Sequence, residues 1–309
     1  MLQIRRVCTL AAAAIAGLAF ANGVHAAIVA SDMASNSPYS SVSGSNNYNG
    51  QNGGTGFGAW VVTDSPSGDA NGGVFINGTG TDSHNPAPTF DIYDNGNPNS
   101  SSSTGAVLGS SIETATRPFI VPLTGAGASF SFVETPANLR AINGTTVTSQ
   151  IGFELLDSSG NVLFNLFSNG TTGGGNGTNW AVIDASNGGN SYQLISTDVG
   201  RSPERALTYN VGSGDTITVT LTGQDAVNPN NYDYTISTGG HEGSTFADGG
   251  EINMSTGGPT AFAIYDNNGG DGSDIRVNTL SESLALVPEP ASMTLVGLGM
   301  SVLLRRRRR

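Results

Sequence analysis

Residues 266–274 are the stretch of the sequence whose side chains best suit a cation, reading Asp-Asn-Asn-Gly-Gly-Asp-Gly-Ser-Asp. Carboxylate and amide oxygens are the ligands that Ca²⁺ prefers. Asp266, Asp271 and Asp274 are therefore candidate calcium ligands, and no cofactor other than Ca²⁺ is expected. The stretch fails as an EF-hand loop, because its sixth residue is Asp271 where the tight turn requires glycine. A glycine-rich loop between two strands explains the same residues, and the sequence leaves both interpretations open.

A pair of carboxylates for glycoside hydrolysis is the second chemistry to consider. Glu154 and Asp157 are three residues apart, but an odd spacing along a strand points two side chains to opposite faces. Asp157 also begins a predicted turn. The sequence has no Gly-x-Ser-x-Gly nucleophile elbow, phosphate-binding loop or dinucleotide fingerprint. We therefore expect no catalysis.

Two tryptophans are candidates for stacking on sugar rings. Trp60 is followed by Val61 and Val62, a pattern that predicts a buried position in a strand. Trp180 follows the glycine-rich residues 173–177. It is the candidate glycan-stacking residue.

The charge balance excludes several classes of partner. Residues 27–287 contain 23 acidic residues, five arginines and no lysine, which gives a net charge of −18. Binding to nucleic acid needs cations that replace the counterions of the phosphates. Nucleic acid and anionic membrane surfaces are therefore not expected partners.

The N-terminal 26 residues have the three parts of a secretory signal peptide. Arg5 and Arg6 precede an apolar, alanine-rich run, and Val24-His25-Ala26 is typical of a cleavage site. The sequence predicts cleavage between Ala26 and Ala27. The single cysteine, Cys8, lies in this leader, so the exported body has no disulfide.

The C-terminus has a second tripartite pattern. Pro288-Glu289-Pro290 is followed by an apolar run, residues 291–304. As a helix this run of 14 residues would be about 21 Å long, less than the ~30 Å hydrocarbon core of a bilayer. The chain ends with five arginines, Arg305, Arg306, Arg307, Arg308 and Arg309. We expect these charges to stay on the cytoplasmic side of the membrane and to stop the chain from passing through it.

This tail resembles the PEP-CTERM sorting signal, which membrane transpeptidases called exosortases read. The resemblance implies that the secretion machinery and an exosortase are partners. It implies transient anchoring in the inner membrane, cleavage near Pro288–Pro290 and transfer to the envelope or extracellular matrix, commonly in bacteria that make exopolysaccharide. An ordinary single-pass tail anchor is the alternative.

The body contains short β-rich runs separated by Gly, Asn, Asp and Ser clusters, and no amphipathic pattern of helix length. The predicted strands are 57–63, 73–77, 89–93, 119–123, 128–133, 150–156, 162–167, 180–184, 192–195, 206–211, 216–221, 232–237, 261–265 and 275–280. Two hairpins are predicted, 151–156 with 162–167 and 207–211 with 217–221. Residues 90–95 and 262–267 both read Phe-x-Ile-Tyr-Asp-Asn, which we interpret as two similar strand ends.

These runs predict an all-β fold, a two-sheet antiparallel jelly-roll-like sandwich. A parallel β-helix is the alternative, but it needs a steady repeat period. The predicted organisation is a signal peptide (1–26), a Ser/Asn/Gly-rich segment (27–56), the sandwich (57–286) and a sorting signal with a short apolar helix (287–309).

The body also resembles secreted bacterial β-sandwich proteins of the concanavalin or laminin-G type. The pieces that carry this resemblance are residues 58–62, 117–119, the 151–167 hairpin and 263–274. Together with the tail, it predicts an exported envelope or matrix protein with a structural or adhesive role in exopolysaccharide, secreted or at the cell surface. A carbohydrate-binding module, with or without Ca²⁺, is the alternative, and an enzyme acting on polysaccharide is the third interpretation.

Overall fold

A computed structural model describes residues 27–39, 48–65, 72–78, 88–94, 112–137, 150–169, 180–185, 215–239, 247–267 and 274–284. Every regular element within these ranges is a β-strand, and the strands form two antiparallel sheets. The predicted all-β two-sheet sandwich is confirmed. The predicted signal peptide, sorting tail and C-terminal apolar helix lie outside the described residues.

The larger sheet has eight strands. They are β1 (Ala27–Asp32), β3 (Gly72–Asn77), β4 (Thr89–Asp94), β6 (Ser129–Ala137), β10 (Asp215–Gln224), β11 (Asn231–Gly239), β12 (Ala247–Asn253) and β14 (Asp274–Leu284). Their order is β12-β11-β10-β6-β14-β4-β3, and β1 also pairs with β14. Sequence neighbours therefore pair at its two margins, while its centre is built from distant parts of the chain.

The smaller sheet has six strands. They are β2 (Val61–Ser65), β5 (Ile112–Pro118), β7 (Gln150–Leu156), β8 (Val162–Asn169), β9 (Trp180–Ile183) and β13 (Ala261–Asn267). Their order is β2-β5-β13-β7-β8-β9. Strand β13, buried along its whole length, lies between β5 and β7.

The core lies between the two sheets and is rich in aromatic rings. Burial alternates along β5, as expected for a strand with one face on the core. Trp60 is fully buried, as predicted, and packs against Phe90 of the larger sheet and Phe262 of the smaller one. Each such ring removes a large apolar area from water.

One predicted hairpin is confirmed and the other is wrong. Strands β7 and β8 pair through the turn at 157–161. Strand β10, however, pairs with β6 on one side and with β11 on the other. Both edges of residues 217–220 are therefore occupied, which leaves no place for the predicted partner 207–211.

The strand near Phe119 was predicted in the wrong place. The strand is β5, which ends at Pro118, while Phe119 forms an isolated bridge with Phe57. Strands β1 and β12 were not predicted. The predicted strands 192–195 and 206–211 lie outside the described residues.

No helix long and apolar enough to cross a membrane is found among the described residues.

Candidate functional site

Carboxylates from neighbouring strands meet at one end of the sandwich interior. In register, Glu113 of β5 lies opposite Asp64 of β2 and opposite Asp266 of β13. Glu113 and Asp266 are buried, and they share the inward face with Ala115 and Ile264 of the core. We call Asp64, Glu113, Asp266 and Asp94 the acidic end.

Asp94 joins this group from the opposite sheet. Its backbone N–H donates a hydrogen bond to Oδ2 of Asp266 at 3.2 Å. The sequence similarity between 90–95 and 262–267 has its explanation here: β4 and β13 each turn a Phe, an Ile and an Asp toward the interior. The shared Phe-x-Ile-Tyr-Asp-Asn pattern is therefore the sequence feature from which the proximity of Asp94 and Asp266 could have been predicted.

Of the three predicted calcium ligands, the structure describes the positions of Asp266 and Asp274 but not that of Asp271. Asp266 is fully buried at the acidic end. Asp274 is the first residue of β14, and its backbone lies opposite Tyr93, the neighbour of Asp94. The chain positions of Asp266 and Asp274 are thus brought to the same end, while Asp271 lies outside the described residues.

A second acidic group lies at the margin of the larger sheet. One carboxylate oxygen from each of Asp225, Asp233 and Glu251 lies within 4.8 Å of the others, close enough to share one cation. Asp233 and Glu251 are cross-strand partners on β11 and β12. Nδ2 of Asn231 donates to Oε2 of Glu251 at 2.7 Å. We call Asp225, Asp233 and Glu251 the edge triad; sequence analysis missed it because its residues come from three separate segments.

The outer face of the smaller sheet carries a polar cluster around Glu154. Across the sheet, Glu154 of β7 lies between Ala263 of β13 and Asn165 of β8. Nδ2 of Asn165 donates to Oε1 of Glu154 at 3.2 Å. Burial raises the pKa of Glu154 to about 7, so this carboxyl group is largely protonated in mildly acidic solution.

Tyr265 completes this cluster, which we call the Glu154 cluster. Its hydroxyl lies 3.2 Å from Oε1 of Gln150 and 3.2 Å from Oδ1 of Asn165. Burial and, secondarily, the Glu154 carboxyl raise its pKa well above the usual 10. Gly152 makes room for the ring, because a Cβ there would lie 2.8 Å from the Tyr265 hydroxyl. The cluster therefore joins a carboxyl, a phenol and two amides.

Asp157, the other member of the carboxylate pair, is a turn residue, as the sequence predicted. Its Oδ1 accepts the backbone N–H groups of Ser159 and Asn161 at 2.8 and 2.9 Å. Partial burial would raise its pKa, but hydrogen bonds from Asn161 and Ser159 outweigh it and lower the pKa. Asp157 thus stabilises the β7–β8 turn.

A buried ion pair links β1 to β5. Nη2 of Arg117 lies 2.6 Å from Oδ2 of Asp32, and both side chains are fully buried. The same carboxylate oxygen accepts the Tyr39 hydroxyl at 2.8 Å. The guanidinium carbon lies 5.3 Å from the Trp60 ring centroid, within cation–π range. The pair thus lies among aromatic rings and joins a strand of the larger sheet to a strand of the smaller one.

Trp180 lies in β9, at the margin of the smaller sheet, and its backbone faces Ser168 of β8. Its side chain lies outside the described part of the chain. Its role in stacking on sugars stays a prediction.

The C-terminal residues 286–309 match the PEP-CTERM protein-sorting motif, as the sequence analysis expected. This motif indicates an exported, cell-surface protein. No curated protein matches the chain.

Several solved structures are similar to the chain at 10–12% identity. A legume lectin-like domain from Entamoeba histolytica has 12% identity and a TM-score of 0.37, covering 72% of this chain and 88% of its own. The exoplasmic/lumenal domain of VIP36, in a Ca²⁺/Man2-bound form, has 10% identity and a TM-score of 0.40, covering 76% and 84%. Peanut lectin has 12% identity and a TM-score of 0.32, covering 74% and 99%.

Proposed function

We propose that this protein is exported, held briefly at the inner membrane by its tail, and cut by an exosortase near Pro288–Pro290. The observation that carries the proposal is the match of residues 286–309 to the sorting motif. The proposal includes removal of residues 1–26 between Ala26 and Ala27. The released product is then a β-sandwich of the cell envelope or extracellular matrix.

The physical properties of the tail support this sequence of events. An apolar run of 14 residues reaches far into a bilayer but crosses it poorly. Pro288 and Pro290 prevent a helix in the run from continuing toward the body, because proline lacks the backbone donor and restricts its predecessor. We therefore expect the motif to be an extended segment that a processing enzyme can reach, and the terminal arginines to stay on the cytoplasmic side.

The body suits a structural or adhesive role associated with exopolysaccharide. Its core is built from aromatic and aliphatic side chains without disulfides. Its net charge of −18 favours solubility outside the cell and disfavours nucleic acid. No catalytic constellation is assigned to it.

Replacing Pro288, Glu289 and Pro290 with alanine tests the sorting proposal. We expect the triple variant to accumulate in the membrane fraction with its arginine tail intact, while the wild type is found outside the cell. The control is Glu251→Gln, which changes an acid of the edge triad and leaves the tail untouched. Release of the triple variant at the wild-type level would overturn the proposal.

Calcium-assisted carbohydrate binding is the second function that we propose. It is supported by the gathering of Asp64, Glu113, Asp266 and Asp94 at one end of the sandwich, next to the start of β14. Hard oxygen ligands of this kind suit Ca²⁺. In this proposal, residues 268–273 and the region of Trp180 hold the glycan.

Calorimetric titration with Ca²⁺ tests this second function. We expect heat of binding and a higher melting temperature, both lost in Asp266→Asn. Asp233→Asn is the matched variant in the edge triad. Loss of the calcium response in Asp233→Asn but not in Asp266→Asn would show that the ion binds at the edge triad instead of the acidic end. A wild type without any calcium response would overturn the calcium proposal.

A further inference from the structure

The outer face of the larger sheet carries two rows of hydroxyl groups. Residues that are cross-strand partners turn their side chains to the same face of a sheet. The first row runs across β11, β10, β6 and β14 and consists of Thr235, Thr220, Ser129 and Ser283. The second row, two residues further along each strand, consists of Ser237, Thr218, Ser131 and Ser281. We call these eight residues the hydroxyl face.

The hydroxyl face is presented to solvent. All eight side chains are half-buried or exposed, whereas the residues that alternate with them, such as Ile217, Val219 and Phe130, are fully buried in the core. Neighbouring strands lie about 4.8 Å apart, and alternate residues of one strand lie about 6.7 Å apart. The hydroxyl groups therefore form a regular grid on an open sheet surface.

The composition of the hydroxyl face is not explained by folding or solubility. Threonine is favoured in strands, but serine is not, and four of the eight residues are serines. A soluble surface normally mixes charges of both signs, and this body carries a net charge of −18. None of the eight residues is charged, so we look for a ligand that needs hydroxyl groups.

We infer that the hydroxyl face binds a neutral polysaccharide that lies across the strands. Charge complementarity selects the neutral polymer, because the face has no cation to pair with the carboxylates of an anionic one, and a body of charge −18 repels it. The inference goes beyond the functions proposed above, since it uses no residue of the acidic end and needs no calcium.

The hydrogen-bonding capacity of the face matches that of sugars. Each serine or threonine hydroxyl donates one hydrogen bond and accepts two, as sugar hydroxyls do. Oγ of Ser131 lies 2.7 Å from Oγ of Ser281, and this contact uses only one of the two hydroxyl protons of the pair. The other proton and the remaining lone pairs stay available to a ligand.

The face is also well prepared for binding. Strands β6, β10, β11 and β14 are each paired on both sides, so their backbones are already ordered. Serine and threonine side chains are short and lose less conformational freedom on binding than lysine, arginine, glutamine or glutamate. A ligand therefore meets a grid that needs little rearrangement.

The repetition of the grid selects a polymer over a short sugar. One hydrogen bond on an open surface adds little affinity, because water competes for the same groups. A chain with hydroxyl groups on every residue contacts several positions of both rows at once. We therefore expect affinity to rise steeply with the length of the glycan.

The test uses the exported protein purified from culture and isothermal titration, in EDTA, with three polymers: a soluble neutral β-glucan, a soluble mannan and polygalacturonate. We expect binding to a neutral polymer, weakened at least tenfold in the double variant Thr218→Val/Thr220→Val. Valine removes both hydroxyl groups, keeps the shape of the side chain and favours strands. A tetrasaccharide of the β-glucan should bind far more weakly than the polymer, and equal affinity would contradict the repeat argument.

The matched control is Thr114→Val/Thr116→Val, which changes two half-buried threonines on the outer face of β5 in the other sheet. This control should bind as the wild type does, and the melting temperatures of both double variants identify any loss of fold. Unchanged binding in the folded Thr218→Val/Thr220→Val variant, or a preference for polygalacturonate, would overturn the inference.

The outcome also separates this inference from the second proposed function. Binding that requires Ca²⁺, is lost in Asp266→Asn and is kept in Thr218→Val/Thr220→Val would place the glycan at the acidic end and overturn the role of the hydroxyl face. A wild type that binds none of the three polymers, with or without Ca²⁺, would overturn both.

Discussion

Glu282 shows at the scale of one residue how strongly this sandwich perturbs its acids. The side chain is fully buried opposite Phe130 of β6, and neither carboxyl oxygen has a hydrogen-bond partner among the residues that the structure describes. Burial raises its pKa to about 7, from an ordinary value of 4.5. A charged carboxylate in such a place costs free energy, so the folded protein keeps the proton longer than the unfolded chain does.

The consequence is a pH-dependent stability. Between pH 4.5 and about 7 the folded state binds more protons at Glu282 than the unfolded state, so the free energy of unfolding falls as the pH rises through this window. We predict that Glu282→Gln raises the free energy of unfolding at pH 8 by on the order of 2 kcal/mol and changes it little at pH 4. Urea unfolding at both pH values measures this, and an equal effect at both would contradict it.

For Arg117 we predict the opposite effect, a substitution that lowers the stability of the fold. Because Arg117 and Asp32 are both fully buried, removing one charge leaves the other without compensation. We predict that Arg117→Met lowers the free energy of unfolding by roughly 3–5 kcal/mol. Arg276→Met, which removes the partner of Asp91 whose side chain is 20% exposed, is the comparison variant and should cost less. Equal losses in thermal unfolding of the two variants would refute this account.

At the scale of elements, β12 shows why some strands escape sequence analysis. Its sequence, Ala-Asp-Gly-Gly-Glu-Ile-Asn, has no aromatic residue and only one β-branched residue, Ile252, whereas such residues mark a strand. Gly250 is required by packing: a Cβ there would lie 1.9 Å from Oδ2 of Asp184 and 2.7 Å from the Tyr234 hydroxyl. The reason for this glycine lies in two distant residues and is invisible in the local sequence.

Two glycines in strands of the larger sheet therefore respond differently to alanine. We predict that Gly250→Ala lowers the free energy of unfolding by about 1–3 kcal/mol, as overpacking does. Gly223→Ala is the control, because its Cβ would meet nothing within 4 Å. Chemical denaturation compares them, and the prediction fails if Gly250→Ala is as stable as the control.

Local signals explain which elements could be predicted. The β7–β8 hairpin was predicted because its turn is encoded in place by Asp157, Gly160 and Asn161. The pairing of β10 with β6 was not predicted, because β6 lies far away in sequence and nothing local specifies that pairing. The same limit applies to the candidate sites: Glu154 was noticed only beside Asp157, while its actual partners, Asn165 and Tyr265, come from two other strands.

At the scale of the whole molecule, the two ends of the chain and its body differ in charge. The ends carry seven of the 12 arginines and the motif that indicates export. The body carries nearly all the acids and folds into two sheets. The sorting motif at the C-terminal end could be predicted because such signals are short and contiguous, while the signal peptide of residues 1–26 stays a prediction. The binding chemistry of the body depends on which strands meet.

The intact mass of the protein released into the medium tests the central claim most directly. Our account predicts a single product that begins at Ala27, ends near Pro288–Pro290 and has lost Arg305 to Arg309. A released protein that still carries the five arginines, or one that is found only with its tail intact in the membrane fraction, would contradict it.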